Sequence, residues 1–241
     1  MLIATLRPAR WQTGNGLFVY AYCYRLAKAI GSAADIEPVE GFPHTFEPVD
    51  GEKTDFEPIE INDAGVSVFT EDFDVTMRRC RGHKVIVYGH MERSIYYLPF
   101  RTILRHIFEP ALKLPPSNEV AVHIRGTDTR DHLGVRVPLD YYQRALDLTG
   151  RENAVIYTDD PDWHAYDALG LPIKHGTPLE DFAAIMAAQR IIVSKSSFAW
   201  WAAYLSCAET VVQPEPLVSW RSQTSTNAYL NVPDWKQIEI P

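Results

Sequence analysis

Three short polar clusters carry the residue types that bind phosphate. Ser194-Lys195-Ser196-Ser197 ends an apolar run and precedes the aromatic stretch FAWWAAYLSC (198–207). Read as strand, turn and helix, it sets hydroxyls and a cation at a helix N-terminus. Unpaired backbone N–H groups and the helix dipole favour an anion there. In AVHIRGTD (121–128), His123 and Arg125 alternate about Ile124, so both project to one side of an extended chain. An arginine at a strand end suits a diphosphate, because its guanidinium gives bidentate, charge-assisted hydrogen bonds. Thr158-Asp159-Asp160-Pro161-Asp162 follows the apolar run 154–157.

Each cluster also has a plainer reading. The serines fit an ordinary helix N-cap. His123 and Arg125 fit a satisfied histidine beside an Arg–Asp pair. Asp160-Pro161-Asp162 has the D-x-D spacing that holds a divalent metal on a nucleotide diphosphate. It equally suits an N-cap, a proline at N1 and an acid in the first helical turn, which leaves Asp159 as the ligand contact. A fourth segment, Thr13-Gly14-Asn15-Gly16, is neither a complete G-x-G-x-x-G nor a Walker loop. Its place after a first strand makes it a loop facing the same cleft, with Asn15 as a binding candidate. Trp200 and Trp201 are adjacent and cannot share a helix face, so one is core and the other is core or a wall of the site. No G-x-S-x-G and no H-E-x-x-H occurs.

The elements that must position these groups alternate. In the first half, 2–6 reads as a strand, Leu17 to Ile30 as a helix stopped by Gly31, and Val66–Phe69 and Lys84–Tyr88 as strands. Residues 37–60 read as a polar, partly extended connection, and Ser94 to Phe108 as a helix. In the second half, strands are expected at 120–124, 154–157, 191–194 and 210–213. Helices are expected at 138–148, from about Pro161, after the capping-box spacing Thr177-Pro178-Leu179-Glu180, and at 198–207. Alternation at this pitch predicts an α/β fold with a mainly parallel, helix-covered sheet. Ligands of such sheets bind outside the carboxyl ends of the strands. All three polar clusters follow an expected strand, so they would share one rim.

The chain has 241 residues, 46% hydrophobic and 22% charged, enough for a real core in one large domain or two small halves. A net charge of −8 argues against a general nucleic-acid binder. Three cysteines, odd in number and far apart, fit neither a disulfide framework nor a zinc site, and point to a reducing compartment. No apolar run reaches the roughly 20 residues of a membrane span, and MLIATLRPARW shows no secretory h-region. The expectation is a cytoplasmic protein, compatible with loose peripheral attachment to the inner membrane.

In this order the segments resemble glycosyltransferase family 11, the α-1,2-fucosyltransferases. GNGLFVYAYCYRLAKAIG (14–31), KVIVYGHMERSIYYLPFRTILRHIF (84–108), AVHIRGTD (121–128) and EDFAAIMAAQRIIVSKSSFAWWAAYLS (180–206) carry the resemblance. TDDPDW (158–163) and PDW (233–235) add to it. The resemblance implies a GT-B-like fold of two Rossmann-like halves, with 1–115 a reduced acceptor-side half and 116–241 the nucleotide-sugar-binding half. It implies inverting transfer of fucose from GDP-fucose to a glycan hydroxyl, with no cofactor and no metal. Arg125 would hold the β-phosphate, His123 would lie beside the nucleotide, and Ser196 and Ser197 would cradle the diphosphate. Asp159 would be a further contact. Arg125 and Asp128 are assigned to the chemistry, with Asp131, His132 and Asp159 as other candidate bases. Two positions depart from the family. Its second arginine is Gly126 here, and the Asn before its serines is Lys195, a cation that can stand in for the missing charge. Competing readings are a metal-dependent GT-A enzyme using Asp160 and Asp162, a nucleotide-sugar-binding protein without transfer, and a plain α/β scaffold.

Overall fold

Short β-branched runs alternating with helices build two parallel-sheet units, divided in the computed structural model after Ala111. The structure describes residues 2–5, 13–51, 58–62, 73–89, 91–127, 136–216 and 230–240. The strand expected at Val66–Phe69 lies outside them, as do Asp128, Asp131 and His132.

Among the described residues, the first unit has four parallel strands in the order β2-β1-β4-β3. They are β1 (Leu2–Thr5), β2 (Ala33–Asp35), β3 (Pro58–Asn62) and β4 (Lys84–Tyr88). Accompanying them among the described residues are the α-helices α1 (Thr13–Ile30), α2 (Phe73–Cys80) and α3 (Arg101–Ile107). The expected loop at Thr13–Gly16 is instead the first turn of α1, so Asn15 stands on a helix. Gly14 and Gly16 are buried there, and Leu17 to Cys23 are buried on every side, so packing overrides the low helix propensity of glycine. Gly31, at φ +70°, ends the helix. The helix expected over Ser94–Phe108 is broken into 3-10 turns at Ser94–Tyr96 and Leu98–Phe100 followed by α3. Pro99 lies inside the second turn and has no N–H to continue a helical ladder. The Arg25 guanidinium lies 3.5 Å from the centroid of Phe73 and 4.3 Å from that of Phe100, and donates to the Tyr96 carbonyl at 2.6 Å.

The second unit has, among the described residues, a six-stranded sheet, every neighbouring pair parallel, in the order β10-β9-β8-β5-β6-β7. The strands are β5 (Ser117–Ile124), β6 (Ala154–Thr158), β7 (Ile173–Lys174), β8 (Ala188–Ile192), β9 (Thr210–Glu215) and β10 (Lys236–Glu239). The helices are α4 (Leu139–Thr149), α5 (Pro178–Ala187) and α6 (Ser197–Leu205). Along β5, Val120, Val122 and Ile124 pack against Tyr141, Tyr142, Ala145 and Leu146 of α4. The alternate residues, His123 among them, turn to the other face, where the rings of His123, Phe198 and Phe182 stand in line at 5.9 and 5.3 Å. From β5 the chain runs outward to β6 and β7, then returns to β8 on the opposite side. The strand order therefore reverses between β5 and β8, where such sheets place their ligand crevice.

The capping box opens α5 as expected: Thr177 Oγ1 accepts from Glu180 N at 3.3 Å and Glu180 Oε2 accepts from Thr177 N at 2.7 Å. The helix expected from Pro161 is a turn closed by Trp163 N on the Asp160 carbonyl, followed by a 3-10 helix, His164–Leu169, that stops at left-handed Gly170. Tyr166 and Leu169, its buried residues, are three apart, the 3-10 repeat. Trp200 and Trp201 are both fully buried, and Trp200 donates to the Leu230 carbonyl at 2.6 Å, so both are core. All three cysteines are free. Among the described residues no helix is long and apolar enough to cross a membrane.

Candidate functional site

Three strand ends bring the sequence clusters to one rim of the second unit. His123 is buried near the end of β5 opposite Tyr157 of β6, and its Nδ1 lies 2.8 Å from Ser194 Oγ, two residues past β8. That contact spans β5 and β8, where the strand order reverses. Burial drives the His123 pKa down to about 4; the Asp159 charge opposes this and the Arg125 charge reinforces it. His123 is therefore a neutral imidazole at pH 7.

Arg125 stands half-buried one residue beyond β5. Its charge acts on both His123 and Asp159. Asp159, one residue beyond β6, reaches back to the β5 loop. Its Oδ1 accepts from Gly126 N at 2.6 Å and its Oδ2 from Thr127 Oγ1 at 2.7 Å. Burial raises its pKa, but these two hydrogen bonds and the Arg125 and His123 charges outweigh it and hold the carboxyl below its ordinary value. Asp159 is thus a charged clamp on the loop that carries Arg125. It also explains Gly126: a Cβ there would lie 2.3 Å from Asp160 Cβ and 3.3 Å from Asp159 Oδ1. A side chain at 126 would therefore force Asp160 to shift. The Asp160 amide in turn donates to Thr158 Oγ1 at 3.2 Å, so Asp160 sits in a hydroxyl-closed turn and caps no α-helix.

On the β8 side, Ser196 is the N-cap of α6, its Oγ 3.5 Å from Ala199 N, and its own amide donates to the Ser194 carbonyl at 2.8 Å. Its hydroxyl oxygen accepts the cap hydrogen bond, and its O–H proton remains able to donate. Ser197 opens the helix, half-buried. Lys195, also half-buried, has its pKa lowered by burial, and among the described residues no carboxylate pairs with it. One rim thus holds Arg125, Lys195 and the start of α6. Asn15 belongs to the first unit, and Asp128 lies outside the described residues. Among the described residues no group of three or more His, Cys, Asp or Glu side chains is arranged to hold a metal.

Sequence reasoning missed Phe198, whose ring packs by His123, and Thr127, the second arm of the clamp. It also missed His175, whose Nδ1 lies 2.9 Å from the Thr158 carbonyl. An aromatic in a helix start and a hydroxyl after a glycine carry no signal of their own, and His175 follows a two-residue strand that has no periodicity to detect.

Residues 103–239, more than half of the chain, match the family described as Glycosyl transferase family 11. The chain is also similar to the O-antigen biosynthesis glycosyltransferase WbnK of Escherichia coli, with 25% identity over 128 residues. That match covers 46% of this chain and 42% of the E. coli protein, so the chain spans less than half the length of this relative. No solved structure matches. The family match takes in all the clusters of the second-unit rim, and the chain belongs to glycosyl transferase family 11.

Proposed function

We propose that the protein is a glycosyltransferase that carries fucose from GDP-fucose to a glycan hydroxyl, with inversion at the anomeric carbon and without a metal. The observation that carries this reading is the pair of cations, Arg125 and Lys195, on either side of the β5/β8 reversal beside the N-terminus of α6. The O-antigen glycosyltransferase name of the E. coli relative supports a glycan acceptor. The two parallel sheets fit the two halves of a GT-B enzyme, with residues 116–241 as the donor half and 1–115, including Asn15, as the acceptor side.

The bond between the fucosyl C1 and the β-phosphate oxygen breaks, its electron pair passing to the diphosphate, while the acceptor oxygen bonds to C1 from the opposite face and loses its proton. Negative charge grows on the β-phosphate, where Arg125, Lys195 and the α6 amides are preorganised to receive it. Neutral His123 lies beside that charge and adds no cation of its own. Asp159 is a poor base, since both its oxygens already accept hydrogen bonds and its pKa is held low. We assign proton acceptance to Asp128, one residue after the clamped Thr127.

The test is turnover of GDP-fucose with a glycan acceptor, in the presence and absence of a chelator. Transfer that survives chelation and disappears in Asp128→Asn supports the whole reading. Chelator-sensitive transfer would favour a metal-dependent enzyme, and GDP binding with neither transfer nor donor hydrolysis would reduce the protein to a nucleotide-sugar binder.

A further inference from the structure

Beyond the clusters visible in the sequence, the carboxyl rim is laced sideways by side chains. The lacing begins at His175, just past β7. Its Nδ1 lies 2.9 Å from the carbonyl oxygen of Thr158, the last residue of β6. A carbonyl can only accept, so Nδ1 carries a proton in either charge state of the ring, and the neutral ring has its lone pair on Nε2. The peptide that His175 grips leads directly into Asp159, whose carboxylate holds Gly126 and Thr127. The three strand ends of β7, β6 and β5 are therefore tied in series, and Arg125 sits at the end of the tie.

The corner that presents His175 is itself fixed. Gly176 N donates to Asp181 Oδ1 at 3.0 Å, and Asp181 Oδ2 lies 3.9 Å from His175 Nδ1. A Cβ at Gly176 would meet Glu180 Oε2 at 3.0 Å and Asp181 Oδ1 at 3.3 Å, so glycine permits the close turn. The capping box of Thr177 and Glu180 then starts α5 directly after this corner. A half-exposed imidazole held this way keeps one nitrogen committed to the backbone of β6.

We propose that His175 is a positioning residue of the anion site, acting through its Nδ1–H on the Thr158 carbonyl to set Asp159 and, through Asp159, the loop that carries Arg125. Its importance to GDP binding rests on the function proposed above; its effect on the Gly126 amide does not. Asparagine places an amide N–H close to where histidine has Nδ1, whereas glutamine mimics Nε2. His175→Asn, His175→Gln and His175→Ala are therefore compared by amide hydrogen exchange at Gly126 in the protein without nucleotide, and by calorimetric titration with GDP. Thermal unfolding of each variant checks that it is folded.

The expected result is near-wild-type protection of the Gly126 amide and GDP affinity in His175→Asn. Protection should fall in the other two variants, with GDP affinity weaker by up to about tenfold, the span of one net hydrogen bond. Retention in His175→Gln with loss in His175→Asn would assign the role to Nε2 and overturn the proposal. Wild-type behaviour in all three, or equal loss in all three, would overturn it as well. A wild-type protein that binds no GDP refutes the donor assignment alone, because the exchange measurement still decides the fate of His175.

Discussion

Arg125 is half-buried between a histidine that burial keeps neutral and a carboxylate that two hydrogen bonds keep charged. If it receives the leaving diphosphate, Arg125→Ala should lower transfer by roughly 10²–10³-fold while the cooperative unfolding transition stays intact; near-wild-type turnover would contradict its role. Gly126 is a matter of space. Because a Cβ would lie 2.3 Å from Asp160 Cβ, Gly126→Ala must push the β5 and β6 ends apart. We expect a destabilisation of about 1–3 kcal/mol in denaturant unfolding, and weaker GDP binding as the Asp159 clamp opens. The same crowding means that an arginine at 126, the residue expected from the family resemblance, cannot be restored without rebuilding the loop. On the proposed function, Lys195 on the opposite strand end would supply the second cation. His123 gives stability a pH dependence. Its pKa is about 4 in the folded chain against an ordinary 6.5, so between these values the unfolded chain binds the extra proton. The stabilisation is full above about pH 6.5 and is lost as pH falls towards 4, by at most roughly 3 kcal/mol. Denaturant unfolding across that window should show a slope that flattens in His123→Asn; an unchanged slope would refute the assignment.

At the scale of elements, helix starts carry both the fold and the site. Thr177→Ala removes the capping box of α5 and should cost about 1 kcal/mol, read as a shift of the denaturation midpoint at constant slope. The second unit was the legible half. Its Val/Ile runs at 120–124 and 154–157, with Thr177-Pro178 and the Ser196 cap, declare strand and helix ends through local chemistry, whereas the strand expected at 191–194 lies at Ala188–Ile192, its first half the polar-containing Ala188-Gln189-Arg190 that carries no apolar run. The missed elements have no such local chemistry. β7 has two residues, and α2 is a single polar helix whose burial depends on Phe73, Thr76 and Cys80 meeting distant partners. Gly14 and Gly16 read as a loop because propensity was judged without the packing that encloses them. At the site, Arg125, His123, Ser194 and Asp159 were visible because cations, acids and hydroxyls cluster at strand ends. Their division of labour was not. Asp159 as a clamp and His175 as a tie depend on groups 33 and 17 residues apart in the chain coming within 3 Å, and Ser196 as a cap on a 3.5 Å contact across the first turn of α6.

At the scale of the molecule, two parallel sheets divide the chain, and the second gathers Arg125, Lys195 and the start of α6 at the reversal of its strand order. The family match covers nearly all of that unit, from the helix that precedes it to its last strand. In a protein of net charge −8, such a local concentration of cations is where a polyanionic ligand would be favoured. The most direct measurement of this account is calorimetric titration of GDP, UDP and ADP into the wild-type protein and into Arg125→Ala. The account predicts preferential binding of GDP by the wild type and its loss in the folded variant. Equal affinity for the three nucleotides would contradict the donor assignment, and GDP binding that survives in Arg125→Ala would contradict the site.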